Sequence, residues 1–304
     1  MKKCPCCNNI ENIIKTGIRK TKYNQIQKYY CKTCQKHFTN KTQPYTQYPL
    51  RVILYALESY NKGYTVKKVK TLTGRKHRCS PSIRTIYSWI DRYKNILTML
   101  KLRKNYDIEP GELVTTHRFH HQQVYPFTYH NLKLNLCSKK LPQLRRYINW
   151  VERSLPTKMF LTGPRASQVQ IECKLFPKQK NSIIPKLTKF AFENSQKSKS
   201  AHETIEEFLL INDSLTVCCE LPVFINPEET SLVNINTPLT GHIDLIQMKY
   251  DKLYILDYKP NLRHPGHYTS QLMLYKEAIH KRTMISEKNI IPCVFNEHSY
   301  YEYI

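Results

Sequence analysis

The stretch Gly241–Tyr275, GHIDLIQMKYDKLYILDYKPNLRHPGHYTSQLMLY, decides how the rest of the 304-residue chain is read. Its first run, TGHIDLIQM, reads as a strand carrying one carboxylate, Asp244. The polar link Lys249–Lys252 then leads into a second apolar strand, Leu253–Leu256, which delivers Asp257 and Lys259. Alternation along a strand puts residues i and i+2 on one face, so Asp257 and Lys259 arrive side by side. A hairpin of this kind brings the two aspartates together. Like charges held that close repel, and a divalent cation makes both ionised forms tolerable. An all-oxygen ligand set favours magnesium or manganese over zinc. The competing reading of Asp257 and Lys259 alone is a surface salt bridge.

Three pieces occur in order: Gly241-x-x-Asp244, Asp257-Tyr258-Lys259 and Gln271-x-x-x-Tyr275, the last pair one helical turn apart. Together they resemble the PD-(D/E)XK nuclease superfamily, in particular its RecB-type branch, to which the CRISPR-adaptation exonucleases also belong. The resemblance implies an α/β restriction-endonuclease-like core, a central mixed sheet flanked by helices. It implies that Asp244, Asp257 and the Tyr258 carbonyl hold Mg2+ or Mn2+, and that Lys259 orients or activates the attacking water. It further implies that His202, on a helix opened by the Ser200–Glu203 capping box, completes the metal shell, and that Glu220 on the preceding strand LTVCCELPVF supports the site. Gln271 and Tyr275 would face inward, and Arg263, His264 and His267 in the intervening loop would touch phosphates. RecB-type enzymes with an iron–sulfur cluster carry three cysteines near the C-terminus. Here only Cys293 follows the motifs, so no iron–sulfur cluster is expected. No Gly-x-x-x-x-Gly-Lys-Ser/Thr loop occurs, so no ATP-driven motor is expected either.

Charge points the same way. The chain has 48 Lys plus Arg against 23 Asp plus Glu, a net charge of +25, which calls for a polyanionic partner. Residues 1–105 alone hold 24 of those bases and only three acids, Glu11, Glu58 and Asp91. A membrane surface is disfavoured: no apolar run approaches the roughly 20 residues that span a bilayer, and MKKCPCCNNI has no apolar signal core. The expectation is a cytoplasmic, nucleoid-associated protein whose partner is DNA. Endonucleases that cut both strands commonly act as a homodimer or with an accessory protein, but no interface signature is legible.

Cys4-Pro5-Cys6-Cys7 and Cys31-Lys32-Thr33-Cys34 form two Cys-x-x-Cys pairs, and four thiolates from Cys4, Cys7, Cys31 and Cys34 suit a structural, tetrahedral Zn2+. Cys6 is a bystander. KTGIRKTKYNQIQKYY between them reads as a basic hairpin. CPxC, KTGIRK and QKYYCKTCQKHF resemble the zinc ribbons at the front of insertion-element transposases, which implies DNA binding. Three helical patterns follow: YPLRVILYALESYNKG, ending near Gly63; TVKKVKTLTG, capped by Thr65 and stopped at Gly74; and PSIRTIYSWIDRYKNIL, capped by Ser80, with Ile83, Ile86 and Ile90 inward. They read as a helix-turn-helix with Ser82, Arg84, Thr85 and Ser88 nearest the DNA; the alternative is a plain bundle.

The expected organisation is multidomain: a zinc ribbon over 1–44, an all-α helix-turn-helix over 45–105, a connector over 106–185 with one helix in QLRRYINWVERSL, and the nuclease core over 186–304. HRFHHQQVYPFTYH, with His117, His120, His121 and His130, reads as a polar, aromatic loop. The function expected is metal-dependent hydrolysis of DNA phosphodiesters. The rivals are an end-cleaving component of a mobile element and a non-catalytic, zinc-dependent DNA-binding regulator.

Overall fold

The computed structural model describes residues 3–21, 23–39, 47–172, 175–195 and 198–304. Among them a small antiparallel sheet comes first: β1 (Ile13–Thr21), β2 (Asn24–Cys31) and β3 (Lys36–Thr39), in that order. Four helices follow: α1 (Leu50–Asn61), α2 (Val66–His77), α3 (Ile83–Tyr93) and α4 (Met99–Asn105). Then come β4 (Val114–His121), β5 (Gln123–His130), α5 (Asn131–Cys137), α6 (Pro142–Ser154), α7 (Lys158–Thr162) and β6 (Pro177–Gln179). The remainder is α8 (Ile184–Asn194), α9 (Ala201–Asn212), β7 (Thr216–Ile225), β8 (Leu239–Lys249), β9 (Lys252–Tyr258), α10 (Thr269–Thr283), β10 (Ile290–Phe295) and β11 (Tyr300–Tyr303).

The described residues thus hold a mixed α/β protein whose main sheet has eight strands in the order β4-β5-β7-β8-β9-β10-β11-β6. β9 and β10 pair in parallel, with α10 as their crossover, and the other pairs are antiparallel. Helices cover both faces. Leu187, Ile205 and Leu209 of α8 and α9 join Leu54, Leu57 and Ile86 of α1 and α3 in one apolar cluster, together with Leu245 and Leu256 of the sheet. On the other face Leu144, Ile148 and Val151 of α6 and Leu274 and Ile279 of α10 pack on Ile246 and Ile255. Burying alternate strand residues on both faces explains why β7 and β8 read as almost unbroken apolar runs.

Several sequence expectations need correction. Residues 117–130 form the hairpin β4–β5, not a loop: Phe127 and His130 are fully buried and His121 nearly so, which a polar loop would not allow. The hairpin reverses at Gln122, at φ 64°. The C-terminal run is two strands, with Asn296 turning the chain between β10 and β11 by accepting from the His298 and Ser299 amides. Helix α2 continues past Gly74 and ends at Arg78, whose φ of 51° supplies the left-handed cap. Ser82, not Ser80, caps α3 by accepting from the Thr85 amide at 3.1 Å, and this turns Ile83 out to solvent while Ile86 is buried. Cys173 and parts of two lysine-rich segments, KLFPKQKNS at 174–182 and ENSQKSKS at 193–200, which read as exposed linkers or nucleic-acid-facing loops, lie outside the described residues.

No helix among the described residues is long and apolar enough to cross a membrane.

Candidate functional site

Two clusters of ligand-type side chains stand out among the described residues. The first joins Cys4, Cys7, Cys31 and Cys34, whose sulfurs lie within 4.8 Å of one another and could hold a metal such as zinc. β1 and β2 set the geometry: Cys31 ends β2 opposite Ile13, and the Cys4–Cys7 turn folds back onto it. Cys4 and Cys34 approach to 3.6 Å, Cys7 and Cys31 to 3.5 Å. Amides of Cys34 and Thr33 and neighbouring thiols hold the Cys31 pKa at about 6, against the opposing effect of burial, so a thiolate forms readily there. Cys6 is exposed and outside the cluster.

The second cluster is carboxylate: oxygens of Glu206, Glu220 and Asp244 all lie within 4.8 Å of one another. It sits where the central sheet departs from regular pairing. β7 and β8 pair Cys219 with Leu245 and Leu221 with Ile243, skipping Glu220 and Asp244 between them. Glu220 has φ 52°, a left-handed conformation that a side chain disfavours and that structures retain mainly at working sites. The β8–β9 ladder stops at Leu245–Leu256, one step before Asp244 would meet Asp257. In place of that step the Tyr258 amide donates to Asp244 Oδ2 at 2.8 Å, so the strands part and a carboxylate fills the gap. The α9 capping box is present, and it sets His202 and Glu206 one turn apart above the gap. His202 Nε2 is 3.8 Å from Asp244 Oδ2.

Asp257 is almost wholly buried and stands beside this trio. Its Oδ2 meets Lys259 Nζ at 2.6 Å, and its Oδ1 accepts from Gln271 Nε2 at 3.1 Å. The same amide nitrogen lies 3.1 Å from the Tyr275 hydroxyl, so Gln271 and Tyr275 face inward as one unit. Gly241 is required for that unit, because a Cβ there would lie 2.3 Å from Tyr275 Cε1. Lys259 also lies over the Tyr268 ring, 5.1 Å from its centroid.

Electrostatics agree with the crowding. Burial, then repulsion from Asp244, lifts Asp257 to about 7; burial lifts Asp244 to about 6 against the Tyr258 amide and Lys259. Burial and Asp244 push Glu220 to about 8, with Arg165 pulling the other way. Glu206 is raised well above the carboxylate range by burial, Glu220 and Asp244. Burial opposes the charge on Lys259, but Asp257 and Asp244 outweigh it and its pKa ends above the lysine norm. Burial lowers His202, keeping it a neutral imidazole and a competent metal ligand. Buried acids that repel one another, with Asp244 still 13 % accessible, are what a hard divalent cation would relieve.

Of the site residues expected from sequence, Glu220, Asp244 and His202 converge; Asp257, Lys259, Gln271 and Tyr275 form a connected second group against them. Arg263 is exposed, and the rings of His264 and His267 lie side by side, tilted by 31°, with centroids 5.2 Å apart. Glu206 was missed. Its signal was the spacing His202-x-x-x-Glu206, which puts both on one helical face.

Ser82, Arg84, Thr85 and Ser88 line one groove of ≈ 310 Å³ with Gln47, Tyr48, Trp89 and Arg92. Ser82 Oγ is 2.8 Å from Thr85 Oγ1 as well as capping the helix, so its hydroxyl is partly committed to α3 itself.

In comparisons with known proteins, no family model matches the chain and no curated protein matches it in sequence.

Proposed function

We propose that the carboxylate cluster is the active centre of a metal-dependent DNA nuclease of the PD-(D/E)XK type. The observation that carries the reading is the convergence of Glu206, Glu220 and Asp244 at a break in the sheet, with Lys259 brought alongside by Asp257. The three carboxylates, Glu206 buried and Glu220 and Asp244 partly so, keep raised pKa values despite Arg165 and Lys259 nearby, and their oxygen-only chemistry fits Mg2+ or Mn2+. Glu206, Glu220 and Asp244 would hold the ion, with His202 at its edge and Asp257 and the Tyr258 carbonyl on the sheet side.

When bound, the ion would polarise a phosphate and lower the pKa of a bound water. Asp257 then does two things: it fixes the Lys259 ammonium at 2.6 Å, and it is itself fixed by Gln271. Lys259 orients the attacking water and offsets the charge that builds on the phosphate. Tyr275, seated against Gly241, keeps Gln271 in register. Tyr258 holds Asp244 through its amide.

The four-cysteine ribbon and helices α1–α3 would bring the centre to DNA chiefly through phosphate contacts, given 24 bases against three acids in residues 1–105. We place the protein with DNA in the cell interior on the same ground.

The test is cleavage of circular single-stranded and linear duplex DNA in Mg2+, with the native chain beside Asp257→Asn and Lys259→Met. Magnesium-dependent cutting that is lost in both variants supports the reading, and cutting of the circle makes it an endonuclease. Zinc-dependent DNA binding without any cutting would overturn it in favour of a regulator.

A further inference from the structure

At one end of the acid site a second polar group, which the proposed chemistry does not use, is bridged to β8. Arg165 pairs with Thr240 in an isolated parallel bridge, and the Thr240 amide donates to the Pro164 carbonyl at 2.9 Å. Gly163 lets this segment approach: a Cβ there would lie 2.6 Å from the Met159 carbonyl and 2.7 Å from that of Pro238. The guanidinium is therefore carried by backbone fixed to the sheet. It lies over the Tyr125 ring, 5.3 Å from the centroid, and Nη1 donates to the Tyr125 hydroxyl at 2.5 Å.

Beneath it Tyr125 stacks on His242 at 3.7 Å and 4°. His242 is two residues from Asp244 on the same strand, roughly 7 Å along it. His242 in turn shares a 2.8 Å contact with His121, which stacks on Phe160 at 4.0 Å. Arg165 is the fixed cation beside this histidine pair, held over Tyr125. Yet no carboxylate lies within 4.0 Å of its guanidinium among the described residues.

We propose that Arg165 clamps the phosphate next to the one being cut, with its planar fork engaging two phosphate oxygens while Tyr125 holds the fork in place. Resting on the nuclease reading above, this makes Arg165 a substrate-binding residue that sets the register of the strand over the carboxylates. A charge-assisted, bidentate contact of this kind governs substrate affinity more than the chemical step.

The experiment compares Arg165→Gln, Arg165→Lys and Tyr125→Phe with the native chain. It reads kcat and KM for DNA cleavage in Mg2+, and, in an Asp257→Asn background with Ca2+, the affinity and salt slope for a thymidylate hexanucleotide. Arg165→Gln should raise KM about tenfold or more with kcat changed far less, weaken hexanucleotide binding to match, and flatten the salt slope by about one phosphate. Arg165→Lys should keep the slope and part of the affinity, and Tyr125→Phe should lose less than either. Unchanged KM and slope in Arg165→Gln would overturn the assignment. So would losses shared equally by Arg165→Lys and matched by a lower melting temperature, which would make the residue a brace. If the native chain does not cut DNA, the nuclease reading fails, while the hexanucleotide slope still decides Arg165.

Discussion

Glu220 concentrates the cost of the site in one residue: a left-handed backbone, a skipped rung in the ladder, and a carboxyl lifted to about 8 by burial and Asp244. With Asp244 raised to about 6 and Asp257 to about 7, the metal-free fold holds protons that the unfolded chain releases near pH 4. A raised folded-state pKa stabilises below the unfolded value, and that stability is lost as pH climbs through the folded one. The metal-free melting temperature should therefore fall between pH 5 and pH 8, and Mg2+ should raise it far more at pH 8 than at pH 5.5. Glu220→Gln should melt higher than the native chain at pH 8 without metal, and gain less from Mg2+. Equal metal-induced shifts at both pH values would contradict this. Gly241→Ala should cost about a hundredfold in cleavage rate, the scale on which a displacement of about 1 Å at a catalytic group is felt. Tyr275→Phe, which keeps the ring, should cost less; a fully active Gly241→Ala would show that Tyr275 does not position Gln271. Asp244 was legible in the Gly241-x-x-Asp244 motif and His202 in the helix opened by the Ser200–Glu203 capping box, whereas Glu220 was reached only through the family resemblance, as the acid on its strand. Glu206 was harder to see because buried helical glutamates have no local marker beyond the spacing to His202.

Helix α9 carries His202 and Glu206 from one side while β7 and β8 carry Glu220 and Asp244 from the other, so the site depends on how firmly α9 is anchored. Its C-terminal end is held by Lys133, fully buried on α5, whose Nζ reaches the carbonyls of Leu210, Asp213 and Thr216, the last at 3.0 Å. Burial lowers that ammonium to about 7 despite Asp213. Lys133→Met should destabilise the fold by about 1–3 kcal/mol in chemical denaturation, since three carbonyls lose a partner; an unchanged midpoint would mean that water replaces the lysine at no cost. No pattern in 106–185 announced this role. The strands β4 and β5 were hidden because their covered positions are His117, Phe119 and His121, then Tyr125, Phe127, Tyr129 and His130, with hardly an aliphatic among them, and because burial does not alternate along β5. β10 and β11 merged in the sequence for a similar reason: the turn between them rests on Asn296 accepting two amides, with no glycine or proline to mark it.

Across the whole molecule, the helices after the cysteine ribbon are not a separate bead. Asn61 of α1 donates to Asn212 of α9 at 2.9 Å in a buried contact, and Thr98 donates to Asp213 at 3.1 Å. Leu54, Leu57 and Ile86 share one core with Ile205 and Leu209 of α9. Whatever α1–α3 bind is thus packed against the helix that supplies Glu206 and His202. On the zinc proposal the ribbon is a different matter, because a sheet this small would depend on a metal joining its four thiolates. A zinc-selective chelator should weaken duplex DNA binding and flatten its salt dependence while the main-sheet melting transition persists; loss of both together would mean that the ribbon is integral to the core. Glu206, Glu220 and Asp244 make up the proposed cation site. Calorimetric titration of Mn2+ into the zinc-loaded chain at pH 8 should show metal binding that is lost in Asp244→Asn and strongly weakened in Glu206→Gln, whereas no binding, or binding untouched by both changes, would contradict it.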